Sequence, residues 1–433
     1  MIVRKKKVLV YGMSRSGVWV TKLLQKKRAK VYIYDDNNVQ VMKNHKDCYM
    51  INNLTEELIS SMDMLVVSPS IELDNPYLVK ARYHDIPILS ELELAASFVK
   101  NCVAVTGTNG KTTTVELIAK ILSKQYMAVA CGNNGYPMSR AVLEKKRGLF
   151  VAEVSSFMLE HANSFSPHVA TVLNIEPDHL IRHRTIDCYR ALKMSIFKNL
   201  SSKDYIVINL DSKIAPKVDA IPITYSMKRQ ADVYLSGGYI YLHQNRIVAL
   251  NELKLKGKHN IYNIMCAVCY AFVYKVKPTK IREALLDFTP EPYRIESVGI
   301  KNGIEFVNDS KSTNIASTIA SVDTIKNPIV LLLGGSDKGL DYRPLFTALP
   351  KRVKKIVAYG EIADKLMQAN NDRFNMYKAD TLQSAFAIAV QDLKKSDTVL
   401  LSPGTASYDQ FENYIERGKC FNQLVNEYGE KQD

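Results

Sequence analysis

The chain has 433 residues, of which 46% are apolar and 24% are charged, as in an ordinary globular protein. This length suggests about three domains, and no apolar run approaches the roughly 20 residues that span a bilayer. The net charge of +14 is unusual, but its basic residues form short runs without a recognisable nucleic-acid-binding module. We therefore expect no nucleic-acid partner and no membrane partner, and the charge is suited to a solvated surface or to steering a polyanionic substrate.

The start of the chain predicts a strand and not a secretion signal. Its apolar run, residues 8–11, is short and ends at a turn glycine. The seven cysteines are scattered, and the close pair Cys266 and Cys269 has no second pair or histidine at metal spacing. We therefore expect a cytoplasmic protein with buried free thiols.

The first 90 or so residues predict a nucleotide-binding βαβ unit. Strands at 7–11 and 30–34 flank a helix at 18–26, and the second strand ends in Asp35 and Asp36. A dinucleotide fingerprint would need glycine where Ser14 stands, which weakens NAD or FAD binding. A Rossmann-like domain with a purely structural role stays an alternative.

Residues 103–115, VAVTGTNGKTTTV, predict a strand, a phosphate loop and the first turn of a helix. The glycines let backbone N–H groups approach phosphate oxygens, and the helix N-terminus adds partial positive charge. Lys111 can reach the β- and γ-phosphates, and a following threonine can offer its hydroxyl to Mg²⁺. Val105 stands where the usual pattern has glycine, so the loop is a variant, and a plain tight turn is the alternative. The predicted nucleotide contacts are Gly107, Thr108, Asn109, Gly110, Lys111, Thr112 and Thr113.

Two polar positions follow apolar strands in the same region. Glu153 lies near the end of a strand predicted within 149–157, and a carboxylate beside a phosphate loop suits Mg²⁺. The pair Asp178 and His179 follows a strand at 169–175. A plain loop would explain that pair alone, but together with Glu153 it favours a second metal position.

The C-terminal third predicts another Rossmann-like α/β domain after a linker at 290–292. Strands and helices alternate there, and the predicted strands lie at 304–307, 329–333, 355–359 and 398–401. Polar clusters at 308–314, 334–338 and 402–409 follow three of these strands, where open α/β sheets bind ligands. The predicted domains are 1–92, 93–291 and 292–433.

TGTNGKTTT resembles the ATP loop of the Mur ligases, cytoplasmic enzymes that add amino acids to UDP-N-acetylmuramic acid. The resemblance extends over essentially the whole chain, through GNNG at 132–135, DSKSTN at 309–314 and LLSPGTASYDQFENY at 400–414. The last two are similar to the patterns of family members that add D-glutamate. The resemblance implies an α/β fold of three domains: an N-terminal Rossmann-like domain, a central P-loop-type ATPase domain with a mostly parallel sheet, and a C-terminal Rossmann-like domain.

The resemblance also implies an activity. It is an ATP-dependent ligation of D-glutamate to UDP-N-acetylmuramoyl-L-alanine through an acyl phosphate, with two Mg²⁺ ions, by a monomer. The implied contacts of the sugar nucleotide are Ser14, Arg15, Asp35, Asp36 and Asn133. Those of the ATP nucleotide beyond the loop are Asn263, Arg294 and Asp309. Those of D-glutamate are Thr313, Lys338, Ser407 and Tyr408. The implied metal ligands are Thr112, Glu153, His179 and Lys193, and the implied catalytic residues are Lys111, Lys193, Lys311 and His179.

Helical spacing alone would make Lys193 a solvated lysine. The resemblance instead implies that CO₂ carbamylates Lys193 and that the new carboxylate supports the second Mg²⁺. This reaction needs a neutral amine for part of the time, which partial burial favours. Spacing alone also allows Asn263 to be a helix cap.

Several other functions stay open at this stage. Within ligases, the acceptor amino acid could differ, or the chain could be a folylpolyglutamate synthase, although that enzyme lacks an N-terminal uridine-nucleotide domain. A nucleotide-binding regulator without turnover would be expected to have lost some of the site residues. A kinase using the same loop would not need an amino-acid pocket in its last domain.

Overall fold

The computed structural model describes residues 2–37, 47–145, 147–289 and 291–430. The chain forms two compact units. The first comprises Met1–Ile175, Asp187–Leu253 and Tyr262–Phe288, and the second comprises Glu176–Ile186, Lys254–Ile261 and Thr289–Asp433. Two short segments from the middle of the chain thus belong with the C-terminal third. Pro290, in the predicted linker, lies outside the described residues.

The N-terminal sheet confirms the predicted βαβ unit. It has five parallel strands in the order β3-β2-β1-β4-β5. Alternate residues of β1 enter two cores, Val8 and Val10 on one face and Leu9 and Tyr11 on the other, as in a sheet covered on both faces. The strands are β1 Lys7–Tyr11, β2 Lys30–Tyr34, β3 Tyr49–Met50, β4 Met64–Val67 and β5 Ile88–Ser90. The helices are Arg15–Lys26, Glu56–Ser60, Pro76–Tyr83 and Glu91–Ala96.

The central sheet has nine strands in the order β14-β13-β12-β11-β10-β9-β6-β8-β7. It is mostly parallel, as predicted, and only the pairs β12–β13 and β13–β14 are antiparallel. The strands are β6 Cys102–Thr106, β7 Ala128–Gly132, β8 Leu149–Glu153, β9 Val169–Val172, β10 Tyr205–Asn209, β11 Ile221–Ser226, β12 Val233–Ser236, β13 Tyr239–Leu242 and β14 Asn245–Ala249. The helices of this region are Lys111–Leu122, Met138–Glu144, Ser156–Leu159, Leu180–His183, Ile186–Met194, Lys258–Val273 and Pro278–Leu286, with a 3₁₀ turn at Ser195–Phe197.

The C-terminal sheet has six strands in the order β15-β16-β20-β17-β18-β19. All its neighbouring pairs are parallel except β15–β16. The strands are β15 Glu296–Lys301, β16 Ile304–Asn308, β17 Ile329–Gly334, β18 Val353–Tyr359, β19 Met376–Ala379 and β20 Thr398–Leu401. The helices are Ile315–Thr324, Arg343–Ala348, Ala363–Asn370, Leu382–Ala389 and Tyr414–Glu430.

The four predicted C-terminal strands are present, but the two edge strands were not predicted. β15 and β19 are partly exposed along their length, so neither has the apolar run that marks a buried parallel strand. The buried strands β16, β17 and β20 were predicted because burial on both faces makes them almost continuously apolar.

All seven cysteines are free thiols, and Cys102, Cys131, Cys266 and Cys269 are buried, as predicted. Cys188 is exposed, and Cys48 and Cys420 are partly exposed. No helix in the described part of the chain is long and apolar enough to cross a membrane.

Candidate active site

The predicted phosphate loop forms at residues 107–110 of the first unit. β6 ends at Thr106 and the next helix begins at Lys111. Gly110 has φ = +83°, and a Cβ there would lie 2.5 Å from Oδ1 of Asn263. Both the backbone angle and the space around it therefore require glycine.

Asn263 borders this loop from a neighbouring helix. The helix begins at Lys258, so Asn263 lies inside it and does not cap it. Its side chain is buried beside Gly110. This position is compatible with the predicted contact to the nucleotide.

Two lysine side chains converge on the loop. Nζ of Lys111 donates to the carbonyls of Gly107 at 2.9 Å and Thr108 at 2.7 Å. Nζ of Lys193 donates to the same Gly107 carbonyl at 2.9 Å and lies 4.5 Å from the ring centroid of Tyr189. Lys193 is only 1% exposed, so the interpretation as a solvated helix lysine is wrong. Lys111 and Lys193 thus hydrogen-bond to the same carbonyl of the loop.

Asn174, which the sequence analysis did not identify, fixes the loop. Its main-chain carbonyl accepts from the N–H of Thr108 at 3.0 Å. Its side chain accepts from the N–H of Asn109 at 2.8 Å and donates to the Asn109 carbonyl at 3.0 Å. Asn174 follows β9, the neighbour of β6. A polar residue just after a buried parallel strand was the signal available for it.

Glu153 ends β8, in register with Val105 of β6 and Gly132 of β7. Its Oε1 accepts from Nδ2 of Asn133 at 3.0 Å. Its Oε2 is buried and has no hydrogen-bond partner among the described residues. A buried carboxylate oxygen without a partner is unfavourable unless a cation or water lies beside it. This orphaned oxygen fits a magnesium ligand, and so does the buried hydroxyl residue Thr112.

His179 belongs to the second unit. Its Nε2 lies 3.6 Å from Oδ2 of Asp178. Asp178 is buried, accepts from Nδ2 of Asn314 at 3.3 Å, and lies 3.4 Å from Nζ of Lys338. Asp178 thus joins the segment around His179 to two polar loops of the C-terminal sheet. Within the described ranges, no group of three or more His, Cys, Asp or Glu side chains is arranged to hold a metal.

A cleft of about 140 Å³ lies at the carboxyl ends of the N-terminal strands, and its lining includes Ser14, Asp35 and Asp36. Asp35 accepts from the N–H of Met13 at 2.5 Å. Asp36 accepts from the hydroxyl of Tyr11 at 2.8 Å. The pKa of Tyr11 is raised mainly by burial and secondly by this hydrogen bond to the carboxylate. The structure therefore brings three predicted sugar-nucleotide residues together.

Arg15, the fourth such residue of this domain, does not line the cleft. Its Nη1 donates to the Gly135 carbonyl at 3.2 Å, in the loop that carries Asn133. Arg15 and Asn133 therefore meet at one loop of the central sheet.

The predicted nucleotide residues of the second unit are bonded to other protein groups. Asp309 is buried, accepts from Oγ of Ser402 at 2.7 Å, and has its pKa raised by burial. Nζ of Lys311 pairs with Glu291, whose Oε2 also lies 3.9 Å from Nε of Arg294. Glu291, which the sequence analysis did not assign, thus lies beside both cations.

The predicted glutamate residues also lie on the C-terminal loops. Nζ of Lys338 donates to the Thr313 carbonyl at 2.9 Å. Ser407 is buried, whereas Tyr408 is 75% exposed. The structure therefore joins the Thr313 and Lys338 loops and leaves the Tyr408 ring largely in solvent.

Arg417, also missed by the sequence analysis, ties all three C-terminal polar loops together. It is fully buried. Its Nε donates to Oγ of Ser310 at 3.1 Å, and its Nη2 donates to the carbonyls of Ser310 at 2.9 Å and Thr405 at 3.0 Å. Its Nη1 donates to the carbonyls of Ala406 at 3.1 Å and Gly334 at 3.4 Å. Nothing in sequence spacing distinguishes this arginine from a solvated helix residue.

The central region has a phosphate loop in a mostly parallel sheet. Smaller sheets covered by helices precede and follow this region in the chain. This arrangement is typical of a P-loop-type nucleotide-binding protein of several domains. Family models match three parts of the chain: the Mur ligase MurD-like N-terminal domain at residues 6–90, the Mur ligase middle domain at 105–271, and the Mur ligase glutamate ligase domain at 293–404. The chain belongs to the Mur ligase family.

Within that family the chain is similar to curated UDP-N-acetylmuramoylalanine--D-glutamate ligases. The one from Caldicellulosiruptor saccharolyticus is 35% identical over 98% of this chain and 99% of its own length. The one from Koribacter versatilis is 35% identical over the full length of both.

Two solved structures have a similar fold. The UDP-N-acetylmuramate-alanine ligase MurC of Thermotoga maritima has a TM-score of 0.63 and 17% identity, covering 98% of this chain and 100% of that one. The MurF ligase of the same organism in complex with ADP has a TM-score of 0.64 and 15% identity, covering 100% of this chain and 96% of that one.

Proposed function

We propose that this chain is an ATP-dependent ligase that joins D-glutamate to UDP-N-acetylmuramoyl-L-alanine in the cytoplasmic synthesis of peptidoglycan precursors. The observation that carries the proposal is the convergence of Lys111 and Lys193 on the loop at Gly107. The choice of D-glutamate is supported by the named activity of the relatives that match the full chain.

The reaction needs positioning and charge neutralisation more than covalent catalysis. A carboxylate oxygen of the L-alanyl group attacks the γ-phosphorus of ATP, which forms an acyl phosphate and releases ADP. The D-glutamate amine then attacks the acyl carbon, loses a proton, and the tetrahedral intermediate expels phosphate to leave the amide. Lys111 and Lys311 would neutralise phosphoryl charge, and no side chain acts as the nucleophile.

Four residues would hold the two Mg²⁺ ions: the hydroxyl of Thr112, the carboxylate of Glu153, the imidazole of His179, and Lys193 as a carbamate made with CO₂. When bound, Mg²⁺ neutralises charge on the transferred phosphoryl group. The unpartnered Oε2 of Glu153 supports this assignment. Burial of Lys193 favours the neutral amine, which is the nucleophile that attacks the carbon of CO₂.

The substrates would occupy the carboxyl ends of the sheets. The sugar nucleotide would bind at the N-terminal cleft and the adjoining loop through Ser14, Arg15, Asp35, Asp36 and Asn133. The rest of the ATP nucleotide would contact Asn263, Arg294 and Asp309. D-Glutamate would contact Thr313, Lys338, Ser407 and Tyr408. We assign these roles to domains 1–92, 93–291 and 292–433 of a monomer.

Phosphate release tests this proposal directly. The purified chain is supplied with MgATP and UDP-N-acetylmuramoyl-L-alanine, and D-glutamate is compared with L-glutamate, D-aspartate and L-lysine. We expect release with D-glutamate alone, its loss in Glu153→Gln, and its retention in Glu144→Gln, whose carboxylate is on the surface. Release with L-lysine but not with D-glutamate would contradict the substrate assignment.

A further inference from the structure

Two buried carboxylates lie on the helix Glu91–Ala96, which directly follows the last strand of the N-terminal sheet. Glu91 and Glu93 are each only 3% exposed. Oε1 of Glu91 accepts from the N–H of Ser139 at 2.5 Å. Oε1 of Glu93 accepts from the N–H of Ser164 at 2.9 Å and from its hydroxyl. The helix therefore contacts two segments of the central region through acidic groups that the proposed reaction does not use.

Glu91 supplies a cap that the helix Met138–Glu144 lacks. That helix is preceded by Pro137, which has no side-chain hydrogen bond to the first turn. A carboxylate at this end satisfies one of the free N–H groups and interacts favourably with the helix dipole. Burial raises the pKa of Glu91 while the bond to Ser139 opposes that rise. Glu91 thus fixes where this helix begins.

The helix start is directly continuous with the loop 132–137, which contacts Glu153. In this loop Gly132 donates to the Tyr136 carbonyl at 2.8 Å, and Asn133 donates through its backbone to the Glu153 carbonyl at 3.0 Å. The Asn133 side chain donates to Oε1 of Glu153, also at 3.0 Å. The Asn133 bond engages one carboxylate oxygen of Glu153 and leaves Oε2 buried, with no hydrogen-bond partner in the described part of the chain.

We propose that Glu91 is a positioning residue for the Glu153 carboxylate, acting through the helix Met138–Glu144 and the side chain of Asn133. The inference rests on the proposed function, in which Glu153 binds a divalent cation. Asn133 is an exposed residue, so water competes for its amide whenever the loop is not held. Capping by Glu91 keeps the loop in place, and the loop then holds Glu153 with one oxygen bonded and the other available to the cation.

Direct binding of Mn²⁺ in the presence of ADP, followed by the electron paramagnetic resonance of free Mn²⁺, tests this inference without turnover. We expect Glu153→Ala to abolish tight binding in the full-length chain. We expect Asn133→Ala to weaken it about tenfold, because losing a hydrogen-bonding partner of a metal ligand typically costs 10–100-fold. Glu91→Ala should weaken it by a similar factor, whereas Glu91→Gln should bind like the wild type because its amide oxygen still accepts from Ser139.

The double variant distinguishes positioning from general loss of stability. If Glu91 acts through Asn133, adding Glu91→Ala to Asn133→Ala causes no further loss of affinity, whereas multiplicative losses would contradict the proposed route. Ser90→Ala is the matched control, because the Ser90 hydroxyl caps the same helix by accepting from the N–H of Glu93. It should lower thermal stability and leave the Mn²⁺ affinity unchanged.

The possible failures are distinguishable. Absence of Mn²⁺ binding by the wild type with ADP would overturn the proposed function and this inference with it. Wild-type binding that depends on Glu153 but is unchanged in a folded Glu91→Ala would overturn the inference alone. Should Glu91→Ala not fold, Glu91→Asp provides the same test, because its side chain is one methylene shorter and cannot reach Ser139 in the same way.

Discussion

Replacing Arg417 with methionine should loosen the C-terminal binding loops without changing the ATP loop. The substitution keeps the apolar stem but removes the donors that Arg417 supplies to four carbonyls and one hydroxyl. The Ala406 carbonyl still accepts from the N–H of Ser336, and the Ser310 hydroxyl still donates to the Tyr414 carbonyl. Each buried polar group left without a partner costs about 1–3 kcal/mol. Relief of the guanidinium desolvation, which lowers the pKa of Arg417, offsets part of that sum. We expect a net loss of about 4 kcal/mol from the acceptors left without a donor.

Such a loss should lower the melting temperature of the affected transition by about 8–16 °C, taking roughly 2–4 °C per kcal/mol for a unit of this size. The KM for D-glutamate should rise at temperatures where the variant is folded. Arg417 donates to the carbonyls of Thr405 and Ala406, and these bonds fix the position of the next residue, Ser407, which is proposed to contact D-glutamate. The KM for ATP should also rise, because Arg417 bonds Ser310, which lies between Asp309 and Lys311. Lys419→Met is the control on the same helix, since Lys419 is exposed and pairs only with nearby Glu416 among the described residues. A melting temperature within 2 °C of wild type, roughly the effect of 1 kcal/mol or less, would refute the reasoning.

Three further predictions concern other parts of the chain. Gly110→Ala should raise the KM for ATP about tenfold, because the left-handed backbone angle costs an alanine about 1–2 kcal/mol and its Cβ would collide with Asn263. An unchanged KM would show that the loop does not bind the nucleotide. Lys193→Ala should abolish phosphate release, and wild-type chain depleted of CO₂ should regain activity when bicarbonate is added; an active Lys193→Ala would remove the carbamate from the mechanism. Burial, and to a lesser extent the charge of Arg294, lowers the pKa of His259 from 6.5 to about 4. As the pH falls, His259 therefore takes up a proton in the unfolded chain before it does so in the folded chain. The free energy of unfolding should decrease as the pH drops from 6.5 towards 4. His259→Gln should reduce that slope in urea unfolding, and an identical slope would contradict the burial argument.

The loop and the strands around it could be predicted because their signals are local. Gly107, Gly110 and Lys111 stand within five consecutive residues, and buried parallel strands such as β17 are continuous apolar runs. The edge strands β15 and β19 carry no comparable signal, because a partly exposed strand tolerates polar residues. Prediction therefore succeeded for features whose determining residues lie close together in the chain.

The chain order and residue types by themselves determined the phosphate loop, the alternation of strands and helices, and resemblance to one family of ligases. Only the tertiary structure decided that Lys193 is buried against Gly107, that Asn174 holds the loop, and that Arg417 joins three loops. These contacts link residues from 65 to more than 100 positions apart. Burial and hydrogen bonding depend on which elements pack together, and a lysine or arginine on a helix has the same local sequence signature whether it is solvated or enclosed.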